Sequence, residues 1–137
     1  MVILIDTNVI IDIAIGRMPF SESSYKILKL CRDEQVKGCV STRLFCDFFY
    51  ILRKEMSIEE RKNFIKDMRG YLRTVIVTDE VIDKALDNND ITDFEDAIQY
   101  ACAESVGADC IVTRNTKDFG NCPIKAVTPE EFLELLA

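Results

Sequence analysis

The sequence predicts an α/β fold built on a parallel sheet covered on both faces, and three observations predict it. Short apolar runs rich in β-branched residues recur along the chain, and each is followed by a stretch with helical spacing. The first run, Val2-Ile3-Leu4-Ile5, is apolar at every position instead of alternating, as strands buried on both faces are. Residues that cap helices stand directly after several of these runs.

Taken in order, the first run ends at Asp6-Thr7-Asn8, and Val9, Ile10, Ile13 and Ala14 then follow helical spacing. Gly16-Arg17-Met18-Pro19 makes a loop. From Ser21 a longer helix places Tyr25, Leu28 and Cys31 on one face, with Gly38 just past its end. Cys39-Val40-Ser41 is a second strand, and Leu44, Phe45, Phe48, Phe49 and Leu52 give the next helix a broad apolar face. Ser57-Ile58-Glu59-Glu60 has the pattern of a capping box, and the helix that it opens ends near Gly70. Val75-Ile76-Val77 is a third strand, and Thr78-Asp79-Glu80 starts another helix. Thr92-Asp93-Phe94-Glu95 has the pattern of a second capping box, opening a helix with Phe94, Ala97, Ile98, Ala101 and Ser105 on one stripe. Cys110-Ile111-Val112 and Ile124-Lys125-Ala126-Val127 are the fourth and fifth strands, and Thr128-Pro129 opens the last helix. With no linker, repeat or low-complexity segment, residues 1–137 are expected to form one domain.

Composition excludes several kinds of chemistry. The chain has no histidine, which removes Ser-His-Asp and Cys-His machinery and the commonest acid–base residue near neutral pH. Its six cysteines form no C-x-x-C pair, and Cys31, Cys39, Cys46, Cys102 and Cys110 lie in apolar stretches, so buried reduced thiols are expected rather than a zinc site or disulfides. Carboxylates are therefore the main chemical resource. The longest apolar run is far too short to span a membrane and follows no cationic stretch, so a cytoplasmic protein with no membrane partner is expected. The net charge of 17 − 24 = −7 opposes a nucleic-acid partner unless bound cations reverse the local sign.

In parallel sheets of this kind ligands bind beyond the carboxyl ends of the strands, at a topological switch point. Asp6 follows the first strand directly, where it could cap the next helix or serve a site. Asp47 lies among Phe45, Phe48, Phe49 and Tyr50, one helical turn from Arg43, and so either pairs with that arginine or faces something else. Asp96 sits near the start of its helix with no capping duty, whereas Asp93 and Glu95 complement the helix dipole. Asn115 and Asp118 lie within a few residues of the fourth strand's end, where turn formation is their alternative role. Carboxylates about 4 Å apart repel by roughly 4 kcal/mol at an effective dielectric of 20, so several cannot stay ionised together without a cation or a shared proton. Oxygen-only ligands favour Mg²⁺ or Mn²⁺. Such crowding should also weaken the metal-free fold, so that Asp6→Asn melts higher than the unchanged protein in chelator.

Four segments resemble the PIN-domain family, which includes the VapC-type toxins of bacterial toxin–antitoxin pairs. They are ILIDTNVIID at 3–12, VSTRLFCDFFYILRK at 40–54, TDFEDAIQYACAESVGAD at 92–109 and IVTRNTKDF at 111–119, and they occur in the family's order. The resemblance implies a three-layer α/β/α sandwich with a five-stranded parallel sheet. It implies metal-dependent cleavage of RNA as the activity, with an antitoxin protein as partner, and it leaves room for a homodimer. It carries the family's first and third acids, both metal ligands, onto Asp6 and Asp96. Asp47 stands where the family usually has the longer Glu, and so reaches the metal either directly or through water. Asp118 matches a later acid of the last motif and is taken as the fourth member of the catalytic, metal-binding set, while Asn115 stands where many members have Asp. Asn8, Thr113 and Asn115 are expected as neighbours of the substrate site. The alternative is a catalytically weak module of the same fold that acts by binding RNA or protein.

Overall fold

The structure, a computed structural model, describes residues 1–137. Its strands are β1 (Val2–Ile5), β2 (Lys37–Ser41), β3 (Arg73–Val75), β4 (Cys110–Val112) and β5 (Lys125–Val127), all parallel, in the order β3-β2-β1-β4-β5. The helices are α1 (Thr7–Ala14), α2 (Phe20–Arg32), α3 (Arg43–Ile51), α4 (Ile58–Arg69), α5 (Asp79–Asp87), α6 (Phe94–Ser105) and α7 (Pro129–Leu136), with a 3₁₀ turn at Thr116–Phe119. From β1 the chain adds strands outward through β2 to β3, then returns to lay β4 on the other side of β1 and β5 beyond it. The switch point is therefore the crevice between β1 and β4.

Alternation along β1 divides the core. Ile3 and Ile5 face one helical layer, packing with Val9 and Ile10 of α1, Ile27 and Leu28 of α2, Phe48 of α3, Met68 of α4 and Phe132 of α7. Leu4 faces the other layer, with Val81 and Ala85 of α5 and Ala97, Ile98 and Ala101 of α6. The result is a five-stranded parallel sheet covered on both faces, as the sequence predicts, and the three-layer sandwich that the family resemblance implies. Phe48 is fully buried and stacks on Phe64 at 5.2 Å, so truncating it to alanine should cost about 3–5 kcal/mol.

Local signals placed most boundaries. Ser57 and Glu60 form the expected capping box, and Thr128 and Glu131 form another behind Pro129. Gly38 is not a helix terminator but part of β2, where a Cβ would meet Cys31 Sγ at 2.6 Å and Leu72 Cδ2 at 2.7 Å. The chain instead leaves α2 through Glu34 at φ 60. The third strand lies two residues earlier than the apolar run suggests, because β2 pairs with Arg73, Thr74 and Val75 while Ile76 is 66% exposed. Tyr25 and Phe94, each expected on an inward face, are exposed. All six cysteines are free, and all but the exposed Cys46 are buried. Burial pushes the Cys31 thiol up to about 12 and those of Cys102 and Cys110 up to about 11, which keeps them neutral. No helix is long and apolar enough to cross a membrane.

Candidate active site

Asp6 leaves β1 at the switch point, where its amide donates to the Val112 carbonyl of β4 at 2.9 Å. The residue is 8% exposed, and its side chain accepts four hydrogen bonds. The Thr7 amide donates at 2.8 Å, as the helix-capping role requires. Gln99 Nε2 on α6 donates at 2.9 Å, the Thr113 hydroxyl at 2.7 Å, and Asn8 Nδ2 more weakly at 3.4 Å. Capping is thus only part of its role, since residues from β4's end and from α6 converge on the same carboxylate. Asn8 also bridges to Thr113 Oγ1 at 3.3 Å and accepts the Arg114 amide at 3.3 Å, while Asn115 donates its amide to Thr113 Oγ1 at 3.1 Å. The expected neighbours Asn8, Thr113 and Asn115 therefore form one network around Asp6.

The start of α6 differs from the sequence expectation in one respect. Asp93, not Thr92, is the cap, accepting the Asp96 amide at 3.1 Å, so no Thr92–Glu95 box forms. Asp96 is then the third helical residue and lies in the same cleft as Asp6. Burial, followed by the charges of Asp93, Asp6, Asp118 and Glu95, pushes its carboxyl up to about 7. Asp118, in the 3₁₀ turn, acts on Asp96 from an adjoining recess shared with Asp90, Thr92, Asp93 and Lys117, and does not line the main cleft.

Asp47 does line the cleft, but its charge is engaged. Arg43 Nη2 lies 3.2 Å from Asp47 and 2.9 Å from Glu95, tying α3 to α6 across the mouth. The local Arg43 pair foreseen for Asp47 is therefore present, and Glu95 joins it. The cleft, of about 320 Å³, is lined by the acids Asp6, Asp47, Glu95 and Asp96, the amides Asn8, Gln99 and Asn115, and the arginines Arg17, Arg43 and Arg114.

Sequence reasoning missed four contributors. Gln99 is one, buried on α6 with Nε2 on Asp6 and Oε1 without a partner. Asp12, Arg17 and Arg114 are the others. Asp12 is fully buried on α1, 2.6 Å from Arg114 Nε and 3.6 Å from Arg17 Nε. Burial raises its carboxyl above the ordinary value, while Arg114 and Arg17 pull it down. A signal existed for Asp12: a charge inside the run Val9-Ile10-Ile11-Asp12-Ile13 demands a buried partner.

A family profile described as PIN domain matches residues 2–117. The chain belongs to the PIN domain family. Among solved structures, this PIN domain is similar to a toxin–antitoxin complex from Klebsiella pneumoniae, with a TM-score of 0.70 and 22% identity over 92% of this chain and 96% of that one. It is also similar to VapBC2 from Rickettsia felis, solved bound to a DNA fragment from its promoter, with a TM-score of 0.72 and 16% identity over 93% and 98% of the two chains. A third is VapC20 of Mycobacterium tuberculosis, described as a toxin cleaving the sarcin–ricin loop, with a TM-score of 0.62 and 13% identity over 80% and 86%. At these identities the likeness establishes the shared fold. A comparison with curated proteins finds no match.

The donor set of this PIN domain suits a hard divalent cation. Every candidate ligand is oxygen, Asp96 is destabilised as an anion by its surroundings, and Gln99 Oε1 is a buried acceptor left without a donor. No three acidic or sulfur side chains converge on one point. That arrangement fits Mg²⁺, which is commonly held by one or two carboxylates with water and substrate phosphates completing its shell.

Proposed function

We propose that this PIN domain is a Mg²⁺- or Mn²⁺-dependent endoribonuclease that hydrolyses RNA phosphodiester bonds in the cytoplasm, acting as the toxin of a toxin–antitoxin pair. The observation that carries this reading is Asp96, an acid pushed up to about 7 in a cleft that it shares with Asp6 at the switch point. Ionising Asp96 in this buried, acidic cleft is favoured by a compensating cation. Asp6 and Asp96 would hold the ion, with Asp118 adding negative charge beside Asp96 and Asp47 acting at the cleft wall. When bound, a divalent ion supplies the positive charge that an in-line displacement at phosphorus needs. The chain's own residues do the positioning: Thr113, Gln99 and the Thr7 amide fix the Asp6 carboxylate, and Asp93 fixes the first turn that carries Asp96.

A second reading, a weakly catalytic module that binds RNA or protein, draws on the engagement of Asp47 by Arg43. Purified protein incubated with single-stranded and stem–loop RNA, with Mn²⁺ or with EDTA, separates the two. Cleavage with Mn²⁺ that stops in EDTA and in Asp96→Asn supports the nuclease, and RNA binding without cleavage supports the module. The toxin role is tested separately by growth arrest on expression and its relief by a neighbouring gene product.

A further inference from the structure

We propose that Arg17 and Arg114, aligned by the buried carboxylate of Asp12, form a phosphate-binding site for the RNA backbone beside Asp6 and Asp96, an inference that rests on the nuclease reading. Three observations lead to it. Both guanidinium groups line the cleft that holds Asp6 and Asp96, with side chains 45% and 25% exposed, while the carboxylate between them is wholly covered. Each approaches Asp12 through Nε, and neither forms an ion pair with any other acid of the cleft. The plane of Arg114 is held further by Phe20, whose ring centroid lies 4.8 Å from the guanidinium carbon. An arginine whose ion pair runs through Nε keeps its two terminal nitrogens for another acceptor, and their planar fork matches two phosphate oxygens.

The charge balance distinguishes this pair from Arg43. Arg43 faces two carboxylates, Asp47 and Glu95, so that group is negative overall. Arg17 and Arg114 share one carboxylate, leaving one positive charge unspent in a cleft of otherwise acidic character. A simple structural tie between α1 and the segment after β4 would need neither two arginines nor their exposure to the cleft, and a buried ion pair stabilises a fold no better than apolar packing. An acidic peptide would meet the repulsion of Asp6, Glu95 and Asp96. A phosphodiester chain arriving with divalent cations satisfies both halves of the cleft, its phosphate on the arginines and its counterions on the acids.

The test uses the full chain with a fluorescent single-stranded RNA and Mn²⁺. Binding is read across a salt series in the Asp96→Asn background, and KM and kcat are read in the otherwise unchanged protein. Arg17→Ala and Arg114→Gln should each weaken RNA binding severalfold and make the salt slope shallower by roughly 0.7 per lost phosphate contact. Each should raise KM with little change in kcat, with partial recovery in Arg114→Lys. Asp12→Asn should raise KM in the same way, as expected of a positioning residue, and Arg17 is exposed enough that its variant folds even if Asp12→Asn does not. Unchanged binding and salt slope in folded Arg17→Ala and Arg114→Gln would overturn the proposal, as would loss of poly-glutamate binding in those variants with RNA binding intact. If the unchanged protein binds RNA without cutting it and these variants bind less, the phosphate site stands and the nuclease reading falls. If it cuts RNA and the variants bind and cut equally well, the reverse holds.

Discussion

The carboxylate of Asp93 accepts the backbone amide of Asp96 at 3.1 Å, so two acids within one helical turn do different work. Asparagine caps a helix about as well as aspartate. Asp93→Asn should therefore leave melting and RNA cleavage close to those of the unchanged protein, whereas Asp96→Asn should lower cleavage by orders of magnitude with the fold preserved. Cleavage rates and circular-dichroism melts of both variants check this. A severe Asp93 defect beside a silent Asp96 would reverse the assignment.

Asp96 also makes the metal-free protein sensitive to pH. Its carboxyl stands at about 7 in the folded state against an ordinary value of 3.8, raised first by burial. Because the folded value is the higher one, this group's contribution to stability is fully present below about pH 4 and is lost as pH rises through about 7. Between those values the unfolded chain releases the proton while the folded chain retains it. In EDTA the melting temperature should thus carry a downward component from about pH 4 to 7 that vanishes in Asp96→Asn, and Asp96→Asn should melt higher above pH 7. Saturating Mn²⁺ should remove the same component from the unchanged protein, since binding to the folded state adds stability as RT ln(1 + [L]/Kd).

Asp6 behaves differently. Crowding alone predicts that Asp6→Asn melts higher in chelator, but the structure places Thr7, Asn8, Gln99 and Thr113 as donors on this one carboxylate. An asparagine there brings an amide that faces donors, so one or more bonds are lost at about 1–3 kcal/mol. Asp6→Asn should accordingly melt lower than the unchanged protein in EDTA and gain little from Mn²⁺. A rise in melting temperature would show that repulsion outweighs the hydrogen bonds.

Asp47 should prove the most tolerant acid of the cleft. Its pair with Arg43 is partly solvent-exposed and stabilises by about 1 kcal/mol at most. Asp47→Asn should cut activity less than Asp96→Asn and leave the melt nearly unchanged. Arg43→Ala should do more to RNA affinity than Asp47→Asn, because it leaves Asp47 and Glu95 both without their cation. Fluorescence titration of RNA against the two variants measures the difference.

Much of this was legible in the sequence because local rules and the fold agree. The alternation of apolar runs and helical stretches gave the parallel sheet, and Asp6 fell at the switch point because it directly follows the first strand. What was not legible depends on distant partners. Gly38 looks like a helix terminator until Cys31 and Leu72 are seen to leave no room for a Cβ. The third strand ends at Val75 because the Thr42 amide donates to its carbonyl and the Thr42 hydroxyl takes the Val77 amide, contacts across more than thirty residues. Gln99 and Arg114 gave no local sign, since their roles exist only where α6 and the end of β4 meet α1.

The central claim is that the acids of this cleft hold a divalent cation for RNA cleavage. Its most direct measurement is the rate of cleavage of a defined single-stranded RNA by purified protein, with Mn²⁺ and then with excess EDTA, beside Asp96→Asn as a control. The account predicts cleavage with Mn²⁺, none in EDTA, recovery when Mn²⁺ is restored, and almost none in Asp96→Asn under any condition. Cleavage that persists at the same rate in EDTA, or that survives in folded Asp96→Asn, would contradict it.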